Sequence, residues 1–123
     1  DLQALYCDEV VGALEDVYHH ILPTFGLQGE ELKNAREKLA DGWLTVFLRG
    51  LDELLARGGG DYFADNRLTV ADLKMFVQTR WLVSGGLEHV PADLVHNLAP
   101  SLIEHEKRVS GESLVAAYYA SRS

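Results

Sequence analysis

Acidic and histidine side chains crowd one segment near the start of the chain, at Glu15, Asp16, His19 and His20. Glu15 and His19 are four residues apart, and on a helix such positions share a face, where both side chains could bind one divalent cation. A structural zinc site needs four ligands, and neither the lone cysteine nor the other histidines have a spacing that completes the set. We therefore predict a solvated helix face here and no metal site.

Two other groups of residues could do chemistry, but folding explains each of them better. The glycines at 58–60 lack the Lys-Ser/Thr ending of a phosphate-binding loop, so we expect them to stop a helix. The pair Tyr118 and Tyr119 could stack on a ligand, although core packing is the favoured interpretation. No triad, acid–base pair or cofactor fingerprint is visible. We predict no catalytic residue in this chain, and whether it is an enzyme by itself stays open.

Length and charge limit the kinds of partner that the chain can have. It has 123 residues, which suits one domain over 1–123, and its 11 Lys and Arg against 19 Asp and Glu give a formal net charge of −8. The acidic balance argues against nucleic acid as a partner, because phosphate neutralisation needs a basic surface. The longest apolar run, 114–120, is too short to span a membrane, so no membrane partner is expected. With a single cysteine, cytoplasmic localisation is the default expectation.

The elements that must position these side chains are helices. Apolar residues recur at three- and four-residue steps and predict an all-α fold, a bundle of about five helices with short connections. The first helix covers 2–21 and ends at Pro23. A long second helix is predicted from Glu30 to the glycines at 58–60, which stop it. Gly42 and Gly50 lie inside it, where we expect close backbone approaches to offset their cost of about 1 kcal/mol each.

Thr69 and Asp72 match the S/T-x-x-D/E pattern of a capping box. In such a box the hydroxyl accepts the backbone N–H three residues on, while the carboxylate accepts the N–H of the first residue. A helix is therefore predicted to start here, with Leu73, Phe76, Val77 and Trp81 on its apolar side.

Two prolines organise the last third of the chain. Pro91 is predicted to lie in the first turn of a fourth helix, where a missing N–H costs little, and Pro100 to kink or divide that helix. A final helix carries the tyrosine pair. Helices thus account for almost the whole sequence, and no β-strand pattern competes with them.

The run Tyr62–Leu73 resembles the C-terminal helical domain of glutathione S-transferases, in which a Y/F-L/V-x-G-x-x-x-S/T-x-A-D motif stands at this place. Asp65 replaces the usual glycine of that motif, and Asp tolerates a left-handed backbone better than most residues. The order of helices and prolines extends the resemblance over essentially the whole chain. The first helix is most similar to the sigma class.

The resemblance implies roles for five residues. Asp16 is similar to the acidic residue that reaches across the dimer interface toward the amino group of glutathione, although a solvent-facing carboxylate is the alternative. Tyr18, Lys74, Val77 and Gln78 fall at positions that line the substrate pocket, and for Val77 plain core packing is the alternative. Glutathione itself is expected to bind mainly to a separate N-terminal thioredoxin-like domain, which is absent from this chain.

Three functions follow as hypotheses, and the third is a free-standing helical bundle that binds an apolar ligand. In the first, the chain is the substrate-pocket and dimer-interface domain of a homodimeric, sigma-like glutathione transferase, an enzyme of detoxification that conjugates glutathione to small electrophiles. In the second, it is a non-catalytic domain of the same family that mediates assembly of a translation-associated complex. The absence of catalytic residues in the chain motivates the second hypothesis.

Overall fold

The computed structural model describes residues 1–122, and these contain seven α-helices, one 3₁₀ helix and no β-strand. The predicted all-α class is therefore confirmed, with more helices than expected. The elements in chain order are α1 (Leu2–Ile21), a 3₁₀ helix (Leu22–Gly26), α2 (Gly29–Asp41), α3 (Trp43–Arg57), α4 (Val70–Val83), α5 (Leu94–Leu98), α6 (Pro100–Ser110) and α7 (Ser113–Ala120).

The first helix has the predicted bounds. The Asp1 carboxylate accepts a hydrogen bond of 2.8 Å from the Ala4 N–H and caps the N-terminus of α1. The buried side chains of α1 are spaced by three or four residues and form one face: Val10, Leu14, Val17 and Ile21. Pro23 lies in the 3₁₀ helix that follows, as expected of a residue that cannot continue an α-helix.

The prediction of one long second helix is wrong, because the helix breaks at Gly42. The Gly42 N–H donates to the Lys38 carbonyl at 3.0 Å and ends α2, while its own carbonyl accepts from the Val46 N–H at 3.2 Å and starts α3. A Cβ at Gly42 would lie 3.1 Å from the Lys38 oxygen, so the expected close approach is found there. At Gly50 it is not, since no atom apart from its chain neighbours and the backbone of its own helix lies within 4 Å of the Cβ position.

Four helices, α1, α3, α4 and α6, contribute most of the core. The helix α1 packs against both α3 and α4, and α4 packs in turn against α6. On α3 the buried positions again follow the helical period, at Leu44, Leu48, Leu51 and Leu55. The glycines at 58–60 end this helix as predicted, and Gly59 and Gly60 adopt φ values of +110° and +95° that a glycine takes without strain. No helix among residues 1–122 is both long and apolar enough to cross a membrane.

The predicted capping box is formed, and its carboxylate does more than cap a helix. Oδ2 of Asp72 accepts the Thr69 N–H at 2.8 Å and the Thr69 hydroxyl at 3.1 Å. Oδ1 accepts the Phe63 N–H at 3.1 Å and lies 2.8 Å from Nε2 of His105. Because Asp72 and His105 are fully buried, this carboxylate joins the loop before α4, the first turn of α4 and α6 at one point.

In the last third of the chain one proline prediction is confirmed and the other is wrong. Pro100 divides the helical segment and occupies the first turn of α6. Pro91 lies before α5, which begins only at Leu94. The breaks at Gly42 and Pro100 raise the number of helices above five. The predicted left-handed turn at Asp65 is present, with a φ of +60°.

The buried carboxylate leads to a prediction on stability. We expect Asp72→Ala to lower the free energy of unfolding by about 3–5 kcal/mol, because it leaves the buried His105 ring and two backbone N–H groups without an acceptor. Urea unfolding followed by circular dichroism measures this. The control is Asp8→Ala, which removes an exposed carboxylate from α1. Equal effects of the two substitutions would contradict the proposed importance of Asp72.

The two interior glycines of the predicted second helix lead to a matched pair of variants. We expect Gly50→Ala to raise the free energy of unfolding by about 0.5–1 kcal/mol, because a Cβ has open space there and alanine is the better helix former. Gly42→Ala should give no such gain, because its Cβ would press on the Lys38 carbonyl. Urea unfolding followed by circular dichroism measures the free energy of unfolding of both variants. A gain at Gly42 as large as that at Gly50 would show that the break does not require glycine.

Candidate functional site

A groove of about 460 Å³ lies on the surface between α1 and α4. We call it the α1–α4 groove. Its lining combines an apolar wall with polar and charged side chains and consists of Leu14, Glu15, Tyr18, His19, Leu73, Lys74 and Val77. The volume is within the range of small-molecule sites, which are mostly apolar with a few polar groups that orient the ligand.

The helix α4 has apolar side chains on two faces. Its buried face carries Ala71, Asp72, Met75, Phe76, Thr79 and Leu82. Leu73 and Val77 lie four residues apart on the opposite face, and their exposed fractions are 39% and 58%. The prediction that both belong to a single apolar side with Phe76 is therefore wrong, as is core packing for Val77. These two residues form a ridge of the surface and line the groove.

Three of the five residues singled out from the sequence meet in this groove. Tyr18 comes from α1, and Lys74 and Val77 come from α4, more than fifty residues later. Tyr18 is 49% exposed, and its ring packs edge-on against His19 at a centroid distance of 6.4 Å. Lys74 is exposed and makes no ion pair with the rest of residues 1–122.

The other two residues lie outside the lining. Gln78 is half-buried on α4, and its Nε2 has no hydrogen-bond partner among the described residues. Asp16 is exposed on α1, and its backbone carbonyl lies 2.8 Å from Nδ1 of His20. Its carboxylate makes no ion pair within residues 1–122, so it faces solvent.

A second groove, of about 380 Å³, lies between α4 and α7, and sequence analysis did not find it. This α4–α7 groove is lined by Leu68, Leu73, Phe76, Val77, Leu114, Val115, Tyr118 and Tyr119. Core packing of the tyrosine pair is wrong, since Tyr118 and Tyr119 are 50% and 40% exposed. The signal that could have found the groove is the composition of α7, which has apolar or aromatic side chains on every side.

The helix α7 is fixed to the rest of the fold at its N-terminus. The Tyr62 hydroxyl donates a hydrogen bond to the carboxylate of Glu112, the residue that precedes α7. This bond, together with desolvation, raises the pKa of Tyr62 above its ordinary value. Arg108 on α6 pairs with Asp61 at 3.3 Å beside it. These contacts hold α7, which forms one wall of the α4–α7 groove, against the loop before α4.

The chemistry that these grooves offer is binding. No group of three or more His, Cys, Asp or Glu side chains within 1–122 is close enough to hold a metal ion. Glu15 and His19 lie together at the α1–α4 groove, as their spacing indicates. The apolar wall can accommodate the hydrophobic part of a small molecule, and the side chains of Tyr18 and Lys74 can orient its polar part.

The sequence matches the family of the glutathione S-transferase C-terminal domain over residues 15–122, which include the capping box and every lining residue of the two grooves except Leu14. No curated protein and no solved structure matches the chain. The helical architecture is the one expected for this family. Because the match covers most of its length, the chain belongs to the family of glutathione S-transferase C-terminal domains.

Proposed function

We propose that this domain forms the electrophile-binding wall of a sigma-like glutathione transferase that conjugates glutathione to small electrophiles. The observation that supports the proposal best is the α1–α4 groove, in which Tyr18, Lys74 and Val77 meet although more than fifty residues separate the two helices. An apolar electrophile gains free energy by covering the exposed Leu73 and Val77. The ammonium group of Lys74 is free to contact a polar or anionic substituent of the same molecule.

The conjugation reaction needs a glutathione thiolate beside the electrophile. We place its binding and activation in a thioredoxin-like domain of the whole protein, as the family resemblance implies. The helical domain then contributes by holding the electrophile at a fixed position, which lowers the entropic cost of bringing two reactants together. We further propose that the protein acts in the cytoplasm.

Dimerisation is part of the same proposal. Asp16 presents an exposed carboxylate on α1, and a carboxylate is a suitable partner for the protonated amino group of glutathione. In the proposed homodimer, Asp16 of one protomer contacts the glutathione held by the other. The contact supplies a charge-assisted hydrogen bond and no chemical step.

A second exposed surface supports the alternative of a non-catalytic assembly domain. Trp43 and Val46 at the start of α3 are 57% and 60% exposed and lie outside both grooves. Exposed aromatic residues of this kind are enriched in protein interfaces. The two functions are separated by assaying the whole gene product with glutathione and 1-chloro-2,4-dinitrobenzene. Conjugation supports the transferase, whereas an inactive protein that co-elutes with translation factors supports the alternative.

Two substitutions test substrate choice, one at Tyr18, which lines the α1–α4 groove, and one at Gln78, which the family resemblance assigns to the pocket although it lies outside the lining of this groove. In the whole gene product, Tyr18→Ala and Gln78→Ala should each change the ratio of kcat/KM between two electrophiles by about fivefold or more, because differential contacts determine selectivity. The KM for glutathione should change less. Gln28→Ala, at an exposed position before α2, is the matched control. Unchanged ratios over several electrophiles would show that neither residue contributes to substrate choice.

A third substitution tests the proposed contact with glutathione. Asp16→Asn removes the negative charge and should raise the KM for glutathione about three- to tenfold, while the KM for the electrophile stays constant. The increase should shrink at high salt, because an exposed ion pair is screened. Asp8→Asn, two turns earlier on the same helix, serves as the control. If the two variants behave alike, Asp16 is only a solvated carboxylate.

A further inference from the structure

The helix α7 lies outside the main core of the domain. The main cluster of buried side chains comes from α1 to α6 and their connections. Val115 is the one buried residue among Ser113–Ala120, and it packs in a separate cluster with Phe76 and Val109. Gly111 and Glu112 alone join α6 to α7. A helix with so few buried contacts can leave the rest of a domain without global unfolding.

The apolar side chains of α7 gain little burial when the helix is docked. Leu114 is 79% exposed, and Tyr118 and Tyr119 remain about half exposed. The ring of Tyr119 packs edge-on against Phe76 at a centroid distance of 5.9 Å. Because hydrophobic stabilisation is proportional to the apolar area removed from water, the docked position of α7 depends strongly on its polar contacts.

One polar contact fixes the start of α7. The Tyr62 hydroxyl donates to the carboxylate of Glu112, fifty positions later in the chain. For residues 112–119 this is the one side-chain hydrogen bond or ion pair with the rest of the described chain. A hydrogen bond to an ionised carboxylate is stronger than one between neutral groups.

The Tyr62 side of this contact is held independently of α7. Arg108 on α6 pairs with the Asp61 carboxylate at 3.3 Å and donates to the Asp61 carbonyl at 3.2 Å. The next residue but one, Phe63, donates its N–H to the buried carboxylate of Asp72. Tyr62 therefore keeps its place when α7 moves, and Glu112 is the partner that can leave.

We propose that α7 is a latched lid, which is docked on α4 while Tyr62 donates to Glu112 and swings away at Gly111 when this bond is broken. Four of the eight residues that line the α4–α7 groove belong to α7, so the groove exists in the docked state alone. In the open state the buried side chains of Phe76 and Val109 are uncovered. Opening thus replaces a groove by an exposed apolar face of α4 and α6.

The latch has a defined pH dependence. The hydrogen bond to Glu112, together with desolvation and the negative charges of Glu112 and Asp72, raises the pKa of Tyr62 above its ordinary value of 10.0, and Arg108 opposes the shift. Docking is therefore at full strength below pH 10.0 and weakens as the pH rises through the higher pKa of the docked state. An ionised Tyr62 would place two negative charges side by side. At neutral pH the lid is latched.

Hydrogen–deuterium exchange of the 123-residue chain, followed by NMR, tests the lid. In Tyr62→Phe the amides of α7 should exchange about tenfold faster than in the wild type, while those of α4 keep their rates. The matched control is Tyr6→Phe on α1, because the Tyr6 ring contacts Arg57 and its hydroxyl makes no hydrogen bond within residues 1–122. Unchanged α7 amides in Tyr62→Phe, or equal acceleration in α4 and α7, would overturn the proposal.

A second variant tests whether Tyr62 and Glu112 act as one pair. Glu112→Gln keeps an acceptor but removes the charge, so the α7 amides should exchange about threefold faster and the pKa of Tyr62, measured by NMR of labelled tyrosine, should fall toward 10.0. Adding Glu112→Gln to Tyr62→Phe should give no further acceleration. Additive effects, or an unchanged pKa of Tyr62, would overturn the latch. These measurements use neither glutathione nor an electrophile, so they are independent of the proposed transferase function.

Discussion

The buried carboxylate of Asp72 is the contact on which the arrangement of α4 depends. It accepts four hydrogen-bonding groups, from Phe63, Thr69 and His105, in a place from which water is excluded. A buried carboxylate is costly unless its oxygens are well satisfied, so these donors must be held in position together. The Phe63 ring packs edge-on against His105 at 5.1 Å and closes the site from the side of the loop. The start of α4 and its packing on α6 are thereby determined at one point.

The helix α4 forms a wall of both grooves. The geometry of the grooves therefore depends on the hydrogen bonds that Asp72 accepts at the start of α4. Leu73 follows Asp72 directly, and Val77 lies one turn later on the same exposed face. A rotation of α4 about its axis would move this ridge toward the core and bring polar positions into its place. The capping box therefore has a consequence for binding as well as for folding, although none of its residues lines either of the two grooves.

The sequence predicts those features that depend on local interactions. The bounds of α1 and the capping box at Thr69 follow from neighbouring residues, whereas the left-handed turn at Asp65 follows from the family motif. The sequence pattern does not predict the break at Gly42, because the apolar period continues through this position. The reason for glycine is a contact with the Lys38 carbonyl, which only the structure shows. The sequence pattern does not predict the exposure of Val77 either. An apolar residue on a helix with two apolar faces belongs to the core or to a groove according to the tertiary packing, which periodicity does not contain.

The same limit applies to the candidate site. Helical spacing places Glu15 beside His19, but only the packing of α1 on α4 brings Tyr18 to Lys74. The resemblance to a family indicates that Tyr18 and Lys74 belong together, since a family carries tertiary information in its aligned positions.

The division of α4 into a core face and a groove face also separates stability from binding. Met75 packs in the core and holds the helix in place, while Leu73 and Val77 stay exposed at a cost in solvation that a bound ligand removes.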